Sequence, residues 1–192
     1  MNQNRQQTVQ DLLVFALLVA IGVAGRWGQP LWSFTPTAAA AIFAGYYFSR
    51  VSIALWVPLA ILAISDLLLP AHNNLGVMIA TYAVMTVPVW LGSMMAGASS
   101  GRSSAWRLAV CGFVPATLFW VVSNFAVWAF QSDYEKTLGG LAECYWAAVP
   151  FYRWMLAGDL FYLSILLGCL ALAGMSAREA QCVPVREHKT KK

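Results

Sequence analysis

The sequence predicts an all-α integral membrane protein, a bundle of six transmembrane helices with both termini in the cytoplasm. Three observations predict it. Hydrophobic residues make up 60% of the 192 and charged residues only 10%, where a soluble domain would be nearer half apolar and about a quarter charged. Six apolar runs follow one another, at residues 12–25, 36–48, 51–69, 77–97, 106–130 and 155–174. The basic residues are also sorted by side. On the terminus side of a six-helix chain fall Arg5, Arg50, Arg102, Arg107, Arg178, Arg186, Lys189, Lys191 and Lys192, and on the other side Arg26, Lys136 and Arg153. Nine against three is the excess that cytoplasmic loops carry. Dropping the second run would scatter this bias.

The first run follows Arg5 and mimics a signal peptide, but further apolar segments come after it, so it reads as a retained first span. It carries Ala16, Ala20 and Ala24 at four-residue spacing, one smooth helix face that lets another backbone approach closely. That face serves either internal packing or docking of another subunit. The second run is short against the ~20 residues a spanning helix needs. The third and fourth flank a polar junction, the fifth is the longest, and the sixth contains Asp159. Residues 1–175 form the membrane domain; 176–192 are a polar, basic tail expected to lack fixed structure, either solvated and supporting the topology or touching anionic lipid.

Several function classes are excluded. The chain has no Gly-Lys pair and hence no phosphate-binding P-loop. It has no His-Glu-x-x-His metal motif. Its aromatics lie inside apolar segments, which argues against nucleic acid as a partner. Cys111, Cys144, Cys169 and Cys182 are far apart without metal-ligand spacing. Of these, Cys144 alone is expected on the outer side of the membrane, so no disulfide framework is available.

The informative surface is the outer one, with connections at 26–35, 70–76 and 131–154. The junction from Ser65 to Tyr82 places Asp66, His72, Asn73 and Asn74 between two strongly apolar segments. An ionisable group there carries a desolvation cost. Asp66 either ends a helix, with His72 in a polar turn, or both belong to a site. Tyr82, Tyr134, Tyr145, Trp146, Arg153 and Asp159 could converge on the same face. Hydrogen-bonding groups among aromatic walls suit a large, amide-bearing, partly apolar ligand. Trp27, Trp32 and Trp128 read as an interfacial belt. The Tyr152-Arg153-Trp154 cluster differs, because an arginine between aromatics can stack or bind an anion.

A short first helix with alanines every four residues, followed by five more helices, resembles the S components of energy-coupling-factor transporters. The stretches Phe34-Thr-Pro-Thr-Ala-Ala-Ala, Ser65-Asp-Leu-Leu-Leu, Ser123-Asn-Phe-Ala-Val-Trp and Pro150-Phe-Tyr-Arg-Trp-Met-Leu-Ala-Gly-Asp-Leu-Phe-Tyr look closest to its solitary, cobalamin-specific branch. The likeness covers residues 12–174. It implies a transport protein of the bacterial inner membrane, not an enzyme, that captures cobalamin or a related corrinoid in an outer pocket and has no cofactor of its own. By that likeness Asp66, Tyr82 and Arg153 are corrinoid contacts. The Ala16/Ala20/Ala24 face would dock a coupling subunit, unless the protein works alone in the bilayer. One departure is visible. Where the resembling proteins have a cysteine able to ligate cobalt, this sequence has Ala80: either the corrinoid is bound without a thiolate, or His72 takes the place of the cobalt ligand, or the alanine is an engineered change. Two other classes stay open: a membrane enzyme acting on a lipid or isoprenoid, with Asp66, His72 and Asp159 as acid–base groups, and a ligand-free structural subunit.

Overall fold

The computed structural model describes residues 3–29, 31, 33–69, 74–96 and 104–182. Among them the secondary structure is helical: α1 (Gln3–Trp27), α2 (Thr37–Tyr47), α3 (Val51–Ser65), α4 (Leu75–Val84), α5 (Val87–Ala96), α6 (Ser104–Phe130), α7 (Leu138–Ala147) and α8 (Val149–Cys182). Three stretches are long and apolar enough to cross a membrane: Arg5–Trp27, Leu75–Ala96 and Ala109–Phe130. Large apolar side chains face outward along them, among them Leu13, Leu17, Ile79, Trp90, Met94 and Phe125. Such exposed apolar surface suits lipid rather than water.

Local chemistry sets the helix ends. Asn74 opens α4 by accepting the Gly76 N–H at 2.7 Å, and Thr137 opens α7 by accepting the Gly140 N–H at 3.1 Å. Pro150 sits in the first turn of α8, where its missing N–H costs nothing. The fourth apolar run, expected as one helix, is two. After α4 the chain turns at Met85–Thr86, and α5 begins just before Pro88, which has no N–H to continue the helical ladder. The outer connection at 131–154 likewise contains α7 and the first turn of α8, so Tyr152 and Arg153 are helical residues rather than loop residues. At its far end α8 runs on past residue 176 to Cys182.

The second run is α2, and its 11 residues extend only ~16 Å. It is the centre of the fold, packed against α1, α3, α5, α6 and α8. Thr37, the four alanines at 38–41, Ile42, Ala44 and Gly45 are all buried. Small side chains let this many helices approach one axis. The main core joins Ala40, Ala41 and Ala44 to Leu18 and Val23 of α1, Val57 and Ile61 of α3, and Val89 of α5. A smaller cluster of Ile42, Cys111 and Leu163 ties α2 to α6 and α8.

Ala16, Ala20 and Ala24 are all exposed. α1 turns Leu18, Gly22 and Val23 inward instead, and Gly22 lies against the Ile61 side chain.

Candidate functional site

Side chains from near the ends of α1, α3 and α4 meet. Asp66 is the C-terminal cap of α3. Its Oδ1 accepts from the Arg26 guanidinium at 2.9 Å, and its Oδ2 accepts from the Tyr82 hydroxyl at 3.0 Å. Next to them the Trp27 indole N–H donates to the Ser65 carbonyl at 3.2 Å. The cluster is largely shielded, with the Arg26 and Asp66 side chains 19% and 13% exposed. Asp66 therefore both ends a helix and joins a charged cluster.

Beside this cluster lies a cavity of about 170 Å³, whose wall includes Arg26, Gln29, Thr35, Thr37, Thr81 and Met85. A second, also about 170 Å³, is lined by Trp120, Ser123, Asn124, Phe151 and Tyr152. Ser33, Phe119 and Met155 are common to both, so the two adjoin. The connection from α1 to α2 forms part of the wall. Ser33 holds φ at 68°, the left-handed region that non-glycine residues rarely occupy, and its N–H donates to the Gln29 side chain at 3.1 Å. Strain of this kind persists where the surroundings enforce it. Here Phe34 packs on Phe161 and Tyr162, and residues 34–35 lie directly on the α8 backbone at Gly158.

The aromatic wall is held in place. Tyr145 donates to the Val121 carbonyl at 2.7 Å, the Tyr152 and Thr117 hydroxyls are 3.1 Å apart, and Trp120 packs on both tyrosine rings. The indole nitrogen of Trp120 is buried without a hydrogen-bond partner. Such an unpaired donor beside a cavity is available to a ligand's carbonyl or to water. The loop before α7 is tied back by Lys136, which donates to the Trp128 and Gln131 carbonyls, and by the Trp128 indole on the Glu135 carbonyl. Cys144, on α7 in the connection at 131–154, is buried with its thiol toward the Asn124 carbonyl at 3.5 Å, and burial pushes that thiol up from its ordinary pKa.

The structure thus brings together Asp66 and Tyr82, and it places Asp159 beneath the first cavity, with Thr35, Met85, Phe119 and Met155 lining both sites. Arg153 is exposed on α8, with its guanidinium 5.5 Å from the Trp154 ring centroid, and is not among the residues lining the two cavities. Trp146 is 78% exposed on α7, Tyr134 is half-buried before it, and Ala80 is half-buried on α4. None of these three lines the two cavities either. His72, Asn73 and Trp32 lie outside the described residues. Asn74 acts locally, capping α4 and donating to the Phe130 carbonyl at 2.9 Å.

Sequence reasoning missed Arg26, Ser33, Thr35 and Asn124 as site residues. Arg26 carried a signal, being one of the few basic residues on the outer face. A larger hollow lies elsewhere, an open groove of about 670 Å³ at the other end of α3, between Asp11 and Phe15 of α1 and Arg50 and Trp56.

Residues 6–182 match the family DUF6580. The chain belongs to DUF6580, a family of unknown function. No curated protein and no solved structure matches it. What this DUF6580 chain does must therefore be argued from its own residues: a charged cluster at three helix ends, two adjoining polar–aromatic cavities, and a buried acid below them.

Proposed function

We propose that this DUF6580 protein captures a vitamin-sized ligand at its outer face and delivers it across the membrane, and that the ligand is cobalamin or a related corrinoid. The observation that carries the reading is the Arg26–Asp66–Tyr82 cluster, whose Arg26 lines the first of two adjoining polar–aromatic cavities. Amide-rich ligands need hydrogen-bonding groups set among aromatic walls. Ser33, Thr35, Thr81, Ser123, Asn124 and the unpaired Trp120 indole supply such groups here. The likeness to cobalamin-specific S components supplies the ligand class, the inner-membrane location and the six-span topology. In that topology α2 crosses with the help of its flanks, and non-helical backbone is tolerated at membrane depth where protein surrounds it.

Each cavity holds about 170 Å³, below the roughly 300–1,000 Å³ of pockets that enclose drug-sized ligands. Room for a corrinoid therefore requires the outer connections to part. Ser33, held in a strained conformation between α1 and α2, lines both cavities and is the point to move. The exposed Ala16/Ala20/Ala24 stripe supports docking of a coupling subunit outside the chain.

The deciding experiment mixes purified protein in detergent with cyanocobalamin and separates the two by size. Stoichiometric visible absorbance co-eluting with the protein is expected. Replacing Thr35 with Val and Asn124 with Leu should weaken retention by tens-fold, as loss of hydrogen bonds to a buried ligand does. Protein that elutes colourless at high ligand excess would overturn the corrinoid reading.

A further inference from the structure

Asp159 is 5% exposed, and its Oδ2 has no hydrogen-bond partner. It stands ten residues after Val149, the first residue of α8, which is ~15 Å along the helix. An ionisable side chain at such depth is rare and marks a pathway or a binding site by default. Beside it is a void of about 10 Å³ whose wall includes Thr35, Val84, Met85, Pro88 and Phe119. That is room for one water-sized particle.

The same void adjoins the interruption between α4 and α5. The turn at Met85–Thr86 falls at the midpoint of the Leu75–Ala96 stretch. Pro88 has no N–H to offer the Val84 carbonyl four residues earlier. The Met85 and Thr86 N–H groups go back to Thr81 and Ala83. Val84, whose carbonyl Pro88 cannot serve, and Met85 line the void with Asp159, so the negative end of the α4 dipole lies beside a buried carboxyl. Interrupted helices whose C-terminal ends sit at mid-membrane are how many transport proteins coordinate monovalent cations.

We propose that this void is a monovalent-cation site, binding Na⁺ through Asp159 Oδ2, the Thr35 hydroxyl oxygen and the carbonyl end of α4. The donors are all oxygen, which selects a hard cation. One carboxylate balances one positive charge, whereas a divalent ion would leave an unpaired charge in an apolar surround. Among the described residues no group of three or more His, Cys, Asp or Glu forms a transition-metal site. The ion would tie α8 to the α4–α5 break and to Thr35, which also lines the outer cavity. Occupancy of the deep site then bears on the shape of the upper one.

The test uses the full chain in detergent without corrinoid. Its thermal midpoint is followed while NaCl replaces choline chloride at constant ionic strength and neutral pH. A saturable rise with Na⁺ is expected, because a ligand that binds the folded state alone stabilises it in proportion to ln(1 + [L]/Kd). Asp159→Asn should abolish the saturable response, and Thr35→Val should weaken the apparent affinity about tenfold or more. A flat response to Na⁺, or a saturable one unchanged by Asp159→Asn, overturns the site. If Asp159→Asn does not fold, Thr35→Val decides, and unchanged sodium affinity overturns the proposal. With no corrinoid present, failure here leaves the capture reading standing, and failure of capture leaves this site standing.

Discussion

Arg26, Asp66 and Tyr82 come from three helices, and each hydrogen bond among them is also a tie between helix ends. Fully exposed ion pairs contribute little, and a buried charge that loses its partner costs several kcal/mol. With 19% and 13% exposure this pair lies between those limits. Arg26→Ala and Asp66→Ala are each expected to cost about 1–3 kcal/mol, since each strands a shielded partner. The double variant should cost less than the sum, with a coupling of about 1–2 kcal/mol. Tyr82→Phe removes one hydrogen bond and should cost about 1 kcal/mol. Unfolding midpoints in detergent measure all of these, and strictly additive losses would show that the pair contributes nothing to stability.

At the scale of the helix, the contact between α2 and α5 depends on two glycines facing each other's backbone. A Cβ added at Gly45 would lie 1.9 Å from the Val89 carbonyl oxygen, and one added at Gly92 would lie 1.9 Å from the Ile42 carbonyl oxygen. The obstacle in both cases is main chain, which cannot swing aside as a side chain can. Overpacking of a core costs about 1–3 kcal/mol, occasionally more. Gly45→Ala and Gly92→Ala belong at or beyond the top of that range. Gly168 in α8 is the control, because a Cβ there meets nothing within 4 Å. Alanine is the better helix former by up to about 1 kcal/mol, so Gly168→Ala should be neutral or stabilising. Equal thermal midpoints for Gly45→Ala and the native chain would refute the close crossing.

For the whole molecule, the orientation in the membrane can be read by labelling. Ser132 is exposed between α6 and α7, and Ser49 is exposed between α2 and α3. With the four native cysteines replaced, Ser132→Cys should react with an impermeant thiol reagent in intact cells and Ser49→Cys only after lysis. The reverse pattern would put the Asp66 cluster in the cytoplasm and defeat capture from outside. The exposed alanine stripe on α1 belongs to this scale too, because none of the described residues covers it.

The membrane class and helical content were legible in the sequence because they follow from composition and run length, which need no knowledge of neighbours. Asp66 and Tyr82 were legible for a related reason: an acid and a phenol beside apolar runs must find partners, and they found each other. Tertiary structure alone decided that Arg26 is the third partner, since 40 residues separate it from Asp66 and periodicity carries no information at that distance. It also decided that the short alanine-rich α2 is the buried centre rather than an outlying span, because burial depends on how many helices approach one axis. Arg153 and Trp146 have the residue types of a binding site; that both are exposed and line neither cavity depends on how α7 and α8 pack on their neighbours. Asp159 was visible as an acid in an apolar run. That it faces an atom-sized void beside the α4–α5 break, with an oxygen left unpaired, depended on four separate segments meeting there.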